Sequence, residues 1–350
     1  MKWNANDLKD KLSFLKTQYN NCNNEATKKF LELELKEVEL MLDYATLEKV
    51  NESNYRINLC LSEDTILKKK AFYEEFIAKF CYKLNFLEYS RRLPQYNLAK
   101  NNIKKDEYLK LVVEFLKNYD QELLKLFYEM NSDSRINLSD KTYYISTCLG
   151  ITAYLPTFNV SYIDAIFKNK IMYSSCLPHE LAHAYQFKNI SRKEDHEMIY
   201  SALREAYSIF VELVYFDYLK QTKYYRSAMN CERSFIDSLA LVLEFNYKNF
   251  LKTSNITINN SILYDNGGEV INQADASKFL AKILAYHFIN IYRNNGNIKE
   301  ELNNFHKSFK NGNEYEYFEK IGVNELVSSL KEEFSNYYRD FGNGKKKIFR

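Results

Sequence analysis

His179-Glu180-Leu181-Ala182-His183 is the stretch on which the reading of this chain turns. Residues four apart lie on one face of a helix, so His179 and His183 can bind a single zinc ion, at about 2.0–2.1 Å from each nitrogen. Glu180 then stands beside the metal, where it can take a proton from a water that the metal activates. Histidine is scarce here, 5 in 350 residues. By composition such a match arises in roughly one chain in a hundred or fewer, which points to a metal site rather than to two solvated imidazoles.

The helix carrying the motif is expected to begin near Ser174 or Ser175, either of which can cap its first turn. Pro178 is tolerated within that turn, and the helix should run to about Lys188. Ser191-Arg192-Lys193-Glu194 then has the form of a capping box that opens another helix. About 30 residues before the motif, Thr142-Tyr143-Tyr144-Ile145-Ser146-Thr147-Cys148-Leu149 crowds aromatic and β-branched residues together, closed off by Gly150 and Pro156. That composition favours a strand. Its edge, at Tyr144, Ile145 and Ser146, is a candidate for backbone pairing with an extended peptide.

A catalytic zinc site needs a third protein ligand. Asn189 stands where a metzincin would carry its third histidine, leaving His196 and the acids Glu194, Asp195, Glu197, Glu205 and Glu212. The first four fall in a connection or a first helical turn and read as solvated. Glu205 and Glu212 lie in Met198–Leu219, which is apolar nearly all round. Such a helix is buried, and a buried carboxylate is costly unless paired or bound to metal. Seven residues is close to two turns, so Glu205, Ser208 and Glu212 share a stripe. One Glu can ligate while the other, with Ser208, orients a ligand histidine by accepting its second N–H. Glu205 is expected to be the ligand.

Elsewhere the chain reads as helices. No glycine occurs before Gly150, and Leu31, Leu35, Val38 and Leu42 repeat on one face. Leu109, Val112, Leu116, Tyr119, Leu123 and Leu126 do the same further on, and both stripes read as helix-bundle core. A net charge of +3 implies neither nucleic acid nor an anionic membrane as partner. The opening residues have no apolar run, and no stretch of 18 uncharged apolar residues occurs. Neither a signal peptide nor a membrane span is therefore expected. The 6 cysteines are scattered without a CxxC pair, as in a reduced, cytoplasmic protein.

With these residues on the page, the chain resembles the thimet oligopeptidase and oligoendopeptidase F zinc peptidases, a gluzincin group. Their first zinc helix reads His-Glu-x-Gly-His, and their second reads Glu-x-x-Ser-x-x-x-Glu. Here His179–His183 is followed by Glu205-Ala206-Tyr207-Ser208-Ile209-Phe210-Val211-Glu212. The first Glu of that second pattern is the family's metal ligand and carries over to Glu205. Tyr225-Arg226 with Glu232 is similar to a further Arg-to-Glu stretch, and Phe309–Asn313 with Ile321–Val323 to the closing region. Ala182 replaces the family's glycine, and the chain is shorter than typical members. The family's histidine- and tyrosine-rich carbonyl-polarising region corresponds to Leu263–Gly268 through Ala274–Ser277, which holds one tyrosine and no histidine. Tyr264 and His287 are the candidates for that role. Arg226 reads as a structural partner of Glu232, and His306 as solvated surface.

The resemblance implies a mainly α, two-lobed helical zinc-peptidase fold with a small β-sheet beside the HExxH helix. An N-terminal helical region is expected over 1–140 and a catalytic region over 141–350. It implies a zinc-dependent endopeptidase with one Zn2+ that hydrolyses short or unfolded peptides. The alternative is a peptide-binding protein, weak or inactive, on a peptidase scaffold.

Overall fold

The structure, a computed structural model, describes residues 5–46, 75–76, 79–80, 83–84, 96, 102–139, 150–155, 158–189, 204–236, 239, 273–310 and 314–348. It is mainly α-helical with one small three-stranded sheet, as the sequence leads one to expect. The chain divides into two compact units, one of residues 1–61 and 103–199, the other of 62–102 and 200–350.

The first unit opens with a helical hairpin, α1 (Ala5–Asn21) and α2 (Glu25–Thr46). Leu31 and Val38 of α2 are buried against Leu8 and Leu15 of α1, with Leu35 and Leu42 packed alongside. The second stripe is less simple. Its residues fall on two helices, α3 (Lys105–Tyr119) and α4 (Gln121–Ser132), because Asp120 is extended and caps α4. The Asp120 carboxylate accepts from the N–H groups of Glu122 at 2.8 Å and Leu123 at 3.2 Å, satisfying donors that a continuous helix would have paired internally.

The sheet holds β1 (Ile136–Ser139), β2 (Gly150–Leu155) and β3 (Val160–Ile166) in the order β1-β3-β2. β1 runs parallel to β3 and β2 antiparallel to it. β3, buried almost throughout, is the centre. The first strand lies inside the glycine-free stretch read as helical, so the absence of glycine excluded nothing there. Thr142–Leu149 lies outside the described residues, Tyr144, Ile145 and Ser146 included. Gly150, read as a strand terminator, belongs to β2 instead. Polar bonds tie the helical hairpin to the sheet and the strands to one another. Asn24 donates to Asn137 at 2.9 Å, Asn137 donates to Asp164 at 2.7 Å, and Thr27 bonds the Tyr162 hydroxyl. α5 (Cys176–Lys188) packs on β2 and β3.

The second unit is built round α6 (Glu205–Leu219), which is apolar on all sides, and α7 (Gln273–Arg293). α8 (Ile298–Lys310), α9 (Glu314–Ile321) and α10 (Val323–Ile348) complete its labelled helices. Phe210 of α6 meets Phe288 and Tyr292 of α7 edge-on, at 6.0 and 6.1 Å between ring centroids. Gly322, at φ 77°, turns the chain from α9 into α10 in a conformation that a Cβ would strain. Where α6 ends, six charged side chains are gathered. Arg293 contacts Asp217 at 2.7 Å, Glu232 at 2.8 Å, and Glu333. Lys220 contacts Asp217 at 3.0 Å, Glu232 at 2.7 Å and Asp340 at 3.4 Å.

Two expectations are corrected here. Glu232 pairs with Lys220 and Arg293, while Arg226 lies over the Tyr96 ring at 5.9 Å. Residues 225–236 are helical, and six residues is about 240° of rotation, which turns Arg226 away from Glu232. His306 is not plain solvated surface, for its ring sits edge-on to Tyr207 at 5.4 Å.

Candidate active site

Helix α5 spans Cys176–Lys188, within a residue of its expected start and at its expected end. A 3-10 turn at Ile171–Tyr173 leads into it, and Pro178 falls in the first turn. Ser175 occupies the capping position, yet no side chain caps the helix. Ser174 is buried, with its hydroxyl unpartnered among the described residues.

His179 is half-buried and His183 buried, their rings 4.9 Å apart between centroids and nearly perpendicular. Glu205, the first residue of α6, joins them. One ligand atom from each of His179, His183 and Glu205 lies within 4.8 Å of the others, the only such cluster of His, Cys, Asp and Glu among the described residues. Two imidazoles and a carboxylate are a donor set that suits zinc. Glu212 and Ser208 lie further along α6 and are buried.

Glu180 is 5% exposed, although a carboxylate is rarely left so dry without a partner. Its partner is Thr152 of β2, whose Oγ1 lies 2.6 Å from Glu180 Oε2 and 2.9 Å from the Glu180 backbone oxygen. Gly150 lies beside the other carboxylate oxygen. A Cβ built there would come within 2.7 Å of Glu180 Oε1 and 2.5 Å of Cys176 Sγ. One residue pair further on, Tyr154 stacks on Phe187 at 5.0 Å with the rings 2° from parallel. Gly150, Thr152 and Tyr154 share one face of β2 because alternate strand residues point the same way. Cys176, Glu180 and Phe187 share a stripe of α5, at spacings of four and seven residues. The strand thus lies along the helix beside the stripe that carries the two histidines.

The two candidates for carbonyl polarisation fare differently. Tyr264 lies outside the described residues. His287 is buried on α7, its Nδ1 3.1 Å from the Ser329 hydroxyl, and burial lowers its pKa. Reading the sequence missed Thr152 and Gly150. Their only trace is a small and a hydroxyl residue two apart in Gly150-Ile151-Thr152-Ala153, which nothing links to Glu180 before the strand is laid on the helix.

Comparison with solved structures finds relatives at this point. A chain from Chlamydophila abortus described as a peptidase superposes with a TM-score of 0.52 at 12% identity, over 89% of this chain and 60% of that one. The fold is the one seen in that structure. A chain described as an oligoendopeptidase F from Bacillus anthracis gives 0.48 at 16% identity, over 90% of this chain and 64% of that one. A PZ peptidase A solved with an inhibitor gives 0.41 at 17% identity, over 88% and 62%. This chain therefore spans less than two thirds of the length of the structures it resembles. No protein-family model and no curated protein matches the sequence. Among the described residues no helix is long and apolar enough to cross a membrane.

Proposed function

We propose that this chain is a zinc-dependent endopeptidase that hydrolyses short or unfolded peptides. The observation that carries the proposal is the meeting of His179, His183 and Glu205 next to the buried carboxylate of Glu180. The first three residues hold the metal. Bound there, zinc supplies Lewis acidity, which polarises a peptide carbonyl and makes water easier to deprotonate. Glu180 accepts the proton of the attacking water and hands it to the departing amine. Glu212 and Ser208 support the ligands from further along α6. Among the described residues β2 is an edge strand of the sheet. An extended peptide adds to that edge by backbone hydrogen bonds, which favours unstructured substrates.

Glu180→Gln tests the proposal, since it keeps the shape and polarity of the side chain but removes the base. The wild-type chain should bind about one zinc and cleave members of a random peptide library, and the variant should bind zinc equally with turnover collapsed. Near-normal hydrolysis by the variant refutes the assigned role of Glu180. Zinc and peptide binding without cleavage by the wild type would make the chain a peptide-binding protein instead.

A further inference from the structure

The peptidase reading assigns Glu180 a proton to carry but leaves open what holds its carboxylate in place. We propose that Thr152 is the positioning residue for Glu180, an inference that rests on that reading. Three observations meet on β2. The Thr152 hydroxyl lies 2.6 Å from Glu180 Oε2. The missing side chain of Gly150 leaves room for Oε1, which a Cβ would approach to 2.7 Å. Tyr154 on Phe187 fixes the strand lengthwise against the helix, at 5.0 Å between rings. A carboxylate bonded on one oxygen, with the other seated beside Gly150, has less rotational freedom than a solvated one.

The hydroxyl also ties the strand to the helix that carries Glu180. Its single hydrogen faces two acceptors, Oε2 at 2.6 Å and the Glu180 backbone oxygen at 2.9 Å. A valine in place of Thr152 retains the β-branched shape that a strand favours and loses both bonds.

The test compares wild type, Thr152→Val and Thr152→Ser, each loaded with zinc and assayed on one fluorogenic peptide that the wild type cleaves. Displacement of a catalytic group by about 1 Å costs up to about a hundredfold in rate, so Thr152→Val should lose roughly 10- to 100-fold in kcat with KM within about threefold and zinc content unchanged. Thr152→Ser, which restores the hydroxyl, should recover most of the rate. Wild-type kcat in Thr152→Val overturns the proposal. So does a Thr152→Ser protein as slow as Thr152→Val at equal zinc content. A wild type that neither binds zinc nor cleaves any peptide sinks the peptidase reading, and the positioning claim is then read from the crystal structure of Thr152→Val. A Glu180 carboxylate swung off β2 upholds it, and one left in its present rotamer overturns it.

Discussion

The charged cluster at the end of α6 makes a quantitative prediction about pH. Two cations, Lys220 and Arg293, face the buried carboxylates of Glu232 and Glu333, the half-buried Asp217 and, through Lys220, Asp340. Of these carboxyls, Glu333 is the one that keeps its proton to higher pH. Burial pushes it up, against the pull of Arg293, from an ordinary value of 4.5 to about 7, and Glu232 adds to the rise. Burial alone would also raise Asp217, but Lys220 and Arg293 outweigh it and hold that carboxyl below its usual range. The folded protein therefore keeps a proton on Glu333 where the unfolded chain has already lost it. A folded state that binds the extra proton is favoured at low pH, so stability falls as pH rises through the window between the two values. With those values the loss between about pH 5.5 and about pH 8 comes to about 2 kcal/mol. Glu333 is only 2% exposed, so solvent screening takes little from that figure. Urea unfolding of wild type and Glu333→Gln across this range provides the assay. His287, lowered by burial, shifts stability in the opposite sense, but it is common to both proteins and drops out of the difference. Glu333→Gln should have a pH slope flatter than wild type by about that amount. Parallel pH profiles in the two proteins would refute the reasoning.

Two further perturbations address the site itself. Glu205→Ala should release zinc to a modest chelator, whereas Glu212→Ala should keep the metal and lose about 10–100-fold in activity; the reverse result would move the ligand two turns along α6. Gly150→Ala places a methyl group 2.7 Å from Glu180 Oε1 and 2.5 Å from Cys176 Sγ. Peptide turnover should then fall at least about tenfold while zinc titrates as in wild type, and undiminished turnover would mean that the carboxylate does not lean on the strand.

The parts legible in the sequence were those governed by short-range periodicity. His179 and His183 sit four apart, so a helix brings them together whatever surrounds it. Glu205 could be singled out because a carboxylate in so apolar a segment demands a reason. The break at Asp120 was hidden because the apolar stripe continues in phase across it, from Leu116 and Tyr119 to Leu123 and Leu126. The distinction rests on one side chain's choice to cap rather than to continue. Thr152 was invisible for another reason. Its partner lies 28 positions away, and a hydroxyl in a strand carries no mark of what it will face. The charge cluster is likewise drawn from α6 and the residue that follows it, α7, α10 and the helical residues 225–236. Nothing local distinguishes Glu333 from the solvated Glu332 beside it.

The bonds from Asn24 to Asn137 and from Thr27 to Tyr162 also bear on how the hairpin of α1 and α2 finds its seat. Apolar surfaces tolerate sliding, since one leucine ridge fits several grooves nearly as well. Directional bonds do not, and a hairpin shifted by a turn would part Asn24 from the buried Asn137, whose amide stays committed to Asp164 inside the sheet. A buried polar atom that loses its bond costs about 1–3 kcal/mol. Asn24 and Thr27 thus act as a key cut for one position, selecting a single docking among near-equals. Replacing both with apolar residues of matching size would leave the hairpin attached while freeing it to settle in more than one register.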